Sequence, residues 1–206
     1  MIDTTLLRRW IGQLGMYLPW IVFGLSLVFG YGFPDSISQT YYFEPCITPF
    51  MIILGAAGLL LICYKGYDKQ DNIICALAGV FGWCICLFPC TASSSLDTDG
   101  FVGTFQIPVG ISGWIHNISA VVFFGLLAYN SLFLFTKSSG TMTENKKKRN
   151  IIFKVCGIGM IASFILLLLP IPHITWIVEA IALAFFGVSW LTKADYYPWL
   201  FADKKN

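Results

Sequence analysis

Two histidines, His116 and His173, and one carboxylate set within an apolar run, Glu179, are the side chains of this 206-residue chain best suited to chemistry. Imidazole titrates near neutrality and ligates metals, while a carboxylate in lipid must pair, carry a proton or bind a cation. His116 stands at the opening of the longest apolar run, in Gly110-Ile-Ser112-Gly-Trp-Ile-His116-Asn117-Ile-Ser119, so an imidazole, an amide and two hydroxyls arrive together where polar atoms are costly. A helical rise of ~1.5 Å per residue gives a depth ruler. His116 lies 21 residues from Lys137 and His173 lies 20 from Lys193, which places both histidines ~30 Å from those lysines. Glu179 is 14 residues from Lys193, ~9 Å deeper than His173.

Thr175 shares a helical face with Glu179, and Ser112 and Ser119 share one with His116. If the fourth and sixth apolar segments are neighbours, His116 and Glu179 meet directly, through a water or through an ion. The pattern therefore predicts an outward-opening pocket of His116, Asn117, Ser112, Ser119, Thr175 and Glu179, with Tyr41 and Tyr42 of the first outer loop beside it. Its leading use is binding a small or lipid-like ligand. A second is a zinc or other divalent-metal site of His116, His173 and Glu179 with an open water position, serving lipid hydrolysis. A third is proton-coupled transport through Glu179. Against these stands a plain hydrogen-bond network between helices. The histidines are 57 residues apart rather than in a His-x-x-x-His pair, and no spacing selects a nucleophile among Ser36, Ser38 and Ser112. Tyr41, Tyr42 and Phe43 also read as an interfacial aromatic belt.

The elements that must position these residues follow from composition. The chain is 57% hydrophobic and 12% charged, with a mean hydropathy of +0.73, which excludes an ordinary soluble domain. A helical crossing of hydrocarbon takes ~20 apolar residues, and six such runs occur, at about 15–33, 47–64, 73–88, 109–135, 151–169 and 174–191. The expected fold is all-α, one transmembrane domain over 1–206: a polytopic six-helix bundle whose first span is retained rather than cleaved. All thirteen Lys and Arg lie on one side, in the terminal segments and in or beside alternate connections, and the segments 34–45, 88–108 and 170–173 carry none. By the positive-inside bias both termini are cytoplasmic and these three loops face outward, in a bacterial inner membrane. A net charge of +2 spread over membrane-flanking loops excludes a nucleic-acid surface.

Along the chain, residues 1–13 read as an amphipathic lead-in lying at the inner interface, and Pro19 as a mild kink in the first span. Gly55 to Gly58 and Ala76 to Gly82 are rich in small residues, so the second and third spans should pack closely. Asp97-Thr-Asp99-Gly100 resembles part of a calcium loop but lacks the later acidic ligand. The segment 137–149 reads as a flexible linker whose Lys146 to Arg149 cluster meets anionic lipid head groups, and Tyr196, Tyr197, Trp199 and Phe201 as an inner aromatic girdle. Cys46 and Cys90 fall at the outer edge of the second and third spans and are expected to form a disulfide; the other five cysteines read as core residues.

The tyrosine-rich Ser36-Ile-Ser38-Gln-Thr-Tyr41-Tyr42, the turn Tyr64-Lys-Gly-Tyr-Asp68 and Trp114-Ile-His116 resemble a family of uncharacterised bacterial six-span membrane proteins. Outward-facing Ser, Asp and His on membrane helices are also similar, remotely, to the CREST superfamily of alkaline ceramidases and progestin/adipoQ-type receptors. That similarity implies a zinc-dependent lipid-amidase site, to which His116, His173 and Ser38 would nominally correspond. The chain has six spans and no His-x-x-x-His, where that superfamily has seven spans and that pair.

Overall fold

The computed structural model describes residues 3–92, 100–138 and 143–197. Peptide groups in hydrocarbon must satisfy their hydrogen bonds within the segment, so each apolar run becomes a helix. The six are α1 (Thr4–Val28), α2 (Glu44–Cys63), α3 (Lys69–Leu87), α4 (Val109–Tyr129), α5 (Glu144–Ser163) and α6 (Ile174–Lys193). A five-residue π-helical turn, Asn130–Leu134, extends α4, and a 3-10 turn, Phe164–Leu168, extends α5. Each of the six segments is long and apolar enough to cross a bilayer. A 3-10 turn at Ser38–Tyr42 and a minimal hairpin of Phe101–Val102 with Ile107–Pro108 complete the described elements.

Two segments depart from expectation. Asp3 caps α1 by accepting from the Thr5 N–H at 2.8 Å, so the lead-in is the first turns of the span itself and buries Leu7 and Ile11. Thr143 caps α5 through the Lys146 N–H at 3.2 Å, so residues 144–149 are helical rather than part of a linker. Pro19 is accommodated inside α1. The calcium-like Asp97 and Asp99, and Trp199 and Phe201 of the aromatic girdle, lie outside the described residues.

The helices run alternately up and down in a closed ring. Each packs against its neighbours in sequence, and α6 packs against α1. Arg8 reaches Tyr64 and the Lys193 carbonyl, Lys137 reaches Asp68 and Asp71, and Arg149 pairs with Asp195. The starts of odd helices and the ends of even ones therefore meet at one end, called here the basic end. Residues 29–43, 88–92, 100–108 and 169–173 gather at the other, the loop end.

Small residues set the two tightest crossings. Gly58 of α2 and Gly79 of α3 lie backbone to backbone, as the small-residue pattern predicts. Gly12 of α1 and Gly187 of α6 do the same, a Cβ on Gly187 standing 2.9 Å from the Gly12 carbonyl oxygen. Inside the ring Leu18, Phe50, Leu61, Phe123, Phe153, Phe186 and Trp190 form one core. The outer surface is apolar as well: Leu168 is 83% exposed, Val28 79% and Trp114 72%. Such a surface is stable only against lipid or another apolar partner.

Candidate functional site

Ring closure decides which predicted residues meet. In this order α4 lies between α3 and α5 and barely touches α6, so the fourth and sixth spans are not the neighbours that a joint His116–Glu179 pocket needs. The residues divide among three separate arrangements at the loop end.

His116 is buried, 3% exposed, and its Nδ1 lies 2.9 Å from the Phe88 carbonyl oxygen. A carbonyl only accepts, so Nδ1 carries the proton. One turn earlier on α4, the buried Ser112 hydroxyl donates to the Pro89 carbonyl at 2.8 Å. α3 ends at Leu87, and carbonyls at a helix end lack intrahelical partners. His116 and Ser112 thus close the exit of α3 from the neighbouring helix. Ser119 is buried on the same side of α4, whereas Asn117 is exposed and stands apart from them.

Glu179 belongs to the first loop. Its Oε2 accepts from the Ile37 backbone N–H at 2.5 Å, and its Oε1 lies 3.5 Å from the Ser38 hydroxyl. Residues 37–40 are all buried, so the loop folds inward across the end of the ring instead of fraying into solvent. Beneath it lies a cavity of about 40 Å³ lined by Glu179 with Leu18, Phe50, Ile85, Phe123 and Leu183, residues drawn from α1, α2, α3, α4 and α6. A space of that size admits water molecules and little more. Thr175, one turn before Glu179, is exposed.

Tyr42 fastens the same loop to the exit of α3, its hydroxyl donating to the Cys90 carbonyl at 2.5 Å, with the Tyr41 ring edge-on at 5.5 Å. Burial raises the hydroxyl pKa of both tyrosines, which keeps them protonated donors.

His173 makes the third arrangement. It takes a left-handed backbone, φ 57°, ahead of α6, with Nδ1 3.1 Å from Asp35 Oδ1 and its ring 4.5 Å from that of Phe33. The Asp35 carbonyl accepts from the Trp176 N–H at 3.0 Å, tying the loop to the start of α6 a second time. Trp20, Phe23, Phe33 and Trp176 form an aromatic cluster around this joint, which the sequence pattern did not single out.

His116, His173 and Glu179 therefore have three different sets of partners. Among the described residues no three His, Cys, Asp or Glu side chains converge as metal ligands, so the donor set does not fit the zinc site. The expected Cys46–Cys90 disulfide is not formed: all seven cysteines are free, and the buried Cys46 thiol donates to the Val22 carbonyl at 3.4 Å. Burial pushes the Cys90 thiol up to about 12, with the Glu179 charge adding to the effect, so its reactive thiolate is scarce at neutral pH. A larger cavity lies at the basic end, around Lys193.

Fold and site together define a multi-pass membrane protein with six apolar helices among the described residues and a half-buried carboxylate latched to its first loop. Comparison with family models, with curated proteins and with solved structures finds no match.

Proposed function

We propose that this chain is a membrane-embedded binding protein whose loop end, facing outward from a bacterial inner membrane, takes a small amine with a short apolar tail at Glu179. The basic end then lies in the cytoplasm with both termini, and Lys146 to Arg149 rest among anionic head groups. One observation carries the reading: among the described residues the donors to the Glu179 carboxylate are Ile37 and Ser38 of the loop, and no cation pairs with it. A carboxylate so placed recovers its lost hydration from a ligand that brings N–H donors and positive charge. The cavity beneath is too small for such a ligand while the loop is down. Lifting residues 35–39 frees the carboxylate, and the rings of Phe50, Phe123 and Phe124 then supply faces for an ammonium and its tail.

The test is thermal stabilisation of the purified protein by hexylamine, with hexanoate as the control. Hexylamine stabilises the wild type, hexanoate does not, and Glu179→Gln abolishes the response. An absent response in the wild type, or an equal one in Glu179→Gln, refutes the proposal. Proton-coupled transport is the second reading, favoured by the place of Glu179 at a cavity that five helices line. Liposome flux unaffected by Glu179→Gln rejects it.

A further inference from the structure

Where the helices meet at the basic end they enclose a cavity of about 380 Å³, within the range of small-molecule sites. Arg8 of α1, Lys137 beyond α4, Lys146 and Arg149 of α5 and Lys193 of α6 line it, against a single carboxylate among the described lining residues, Asp195. Two of the five cations have acidic partners. Arg149 pairs with Asp195, and Lys137 sits between Asp68 at 2.7 Å and Asp71 at 2.9 Å.

The other three hydrogen-bond only to neutral groups among the described residues, the charges of Asp195 and Asp71 acting on Lys146 and Lys193 without an ion pair. Arg8 donates through Nε to the Tyr64 hydroxyl at 3.1 Å and reaches the Lys193 carbonyl at 3.5 Å. Lys146 Nζ and Lys193 Nζ both donate to one oxygen, the Phe135 carbonyl, at 3.2 and 3.4 Å. Lys193 is only 8% exposed, with its ammonium 4.6 Å from the Tyr67 ring centre and 5.0 Å from that of Phe135. Ring faces and a shared carbonyl do not offset a buried ammonium that has a second ammonium on the same oxygen. The Arg149 Nε is also buried without an acceptor. Unspent donors from α1, α5 and α6 thus surround an open space.

We propose that this cavity is a binding site for the phosphate group of an organic phosphate. Donors arriving from three helices suit a tetrahedral anion, whose oxygens point in several directions, better than a planar carboxylate. Two arginine forks add the geometry that phosphate binding favours. The cavity exceeds what a bare phosphate fills, and Tyr67 and Phe153 give it an apolar wall for the organic part. That part is either the glycerol of a phospholipid head group entering from the membrane or a soluble phosphate monoester entering from water. The site stands on residues separate from Glu179 and does not depend on the reading given for it.

The experiment uses the full chain in phosphatidylcholine nanodiscs. In one arm glycerol 3-phosphate is titrated calorimetrically, with acetate as the control. In the other the protein is incubated with mixed phosphatidylcholine and phosphatidic acid vesicles, and retained lipid is read by native mass spectrometry. Binding of glycerol 3-phosphate assigns a soluble source, and selective retention of phosphatidic acid assigns a lipid source. In whichever arm binds, affinity falls about tenfold or more in Lys193→Gln and in Lys146→Gln, the loss expected for one charge-assisted contact. Lys147→Gln, whose side chain pairs with Glu144 outside the cavity, leaves it unchanged. If Lys193→Gln does not fold, the half-exposed Lys146 carries the test. No binding in either arm, acetate binding as tightly, or wild-type affinity in a folded Lys146→Gln overturns the proposal.

Discussion

Replacing Gly79 by alanine should open the bundle at its closest crossing. A Cβ there falls inside contact distance of the Gly58 carbonyl oxygen and stands 2.7 Å from Ile62 Cγ1 and 3.0 Å from the Ile62 nitrogen. Two of the three atoms are backbone, so no rotamer change relieves the clash and α2 and α3 must separate. Overpacking of this kind costs about 1–3 kcal/mol. Separation also weakens the bond from the Trp83 indole to the Gly55 carbonyl, 2.9 Å long and spanning the same two helices, at about 0.5–1.5 kcal/mol. The helix-forming gain of Gly→Ala returns about 0.5–1 kcal/mol, leaving a net loss of about 0.5–4 kcal/mol, centred near 2. At about 2–4 °C per kcal/mol for a chain of this size, the central value lowers melting of the detergent-solubilised protein by about 4–8 °C. Gly55→Ala is the internal control, because a Cβ on Gly55 meets nothing within 4 Å. It should melt at or slightly above the wild type. Wild-type melting of Gly79→Ala, or an equal loss in Gly55→Ala, refutes the claim that backbone approach fixes this hairpin.

Three further outcomes follow from the loop and basic ends. His116→Ala leaves the Phe88 carbonyl without its partner, so stability falls by about 1–3 kcal/mol, read as a lower melting temperature; unchanged melting contradicts the closing role. Because Cys46 and Cys90 are free, both label with maleimide after denaturation without reductant, and label that appears only after reduction contradicts the structure. Lys137 holds the Asp68 carboxyl below its ordinary value by donating a hydrogen bond, with the Asp71 N–H adding to it. A depressed folded pKa contributes stability that is present above the unfolded value and lost as pH falls through the folded one, so the contribution disappears below about pH 4. Melting temperatures measured across that range should show a smaller acid step in Asp68→Asn than in the wild type.

Depth was legible in the sequence, and azimuth was not. Six apolar runs give six helices because hydrocarbon leaves the backbone no alternative, and the small residues of the second and third runs announce the Gly58–Gly79 crossing. A residue count from the lysines says how far along its helix Glu179 lies, but not which helix stands beside it. That is fixed by closure of the ring through α1 and α6, where Gly12 and Gly187 make a crossing that single glycines in long apolar runs do not advertise. Closure turns Glu179 toward residues 37 and 38 and leaves His116 facing the end of α3. The phosphate-binding candidate was hidden for a different reason. A lysine in the last turn of a membrane helix ordinarily extends its ammonium to water, so Lys193 reads as a topology marker, and only packing against Tyr67 and Phe135 shows it buried.

Both candidate sites place their unpaired charge on α6, the most deeply buried of the six spans. Glu179 and Lys193 are fourteen residues apart, ~21 Å along the helix, and near one face, with Leu183, Phe186 and Trp190 between them. The ammonium lies in the last turn, at the negative end of the helix dipole, where the helix favours its sign, whereas the carboxylate lies in the second turn, past the reach of the positive end. The dipole therefore lowers the cost of the ammonium alone. The apolar stretch between them is too long for the two to pair and is packed without an open channel, with Phe186 and Trp190 each 1% exposed. On the two proposals, each group finds its complement at its own end of the bundle: the loop or a cationic ligand at Glu179, and an anion at Lys193.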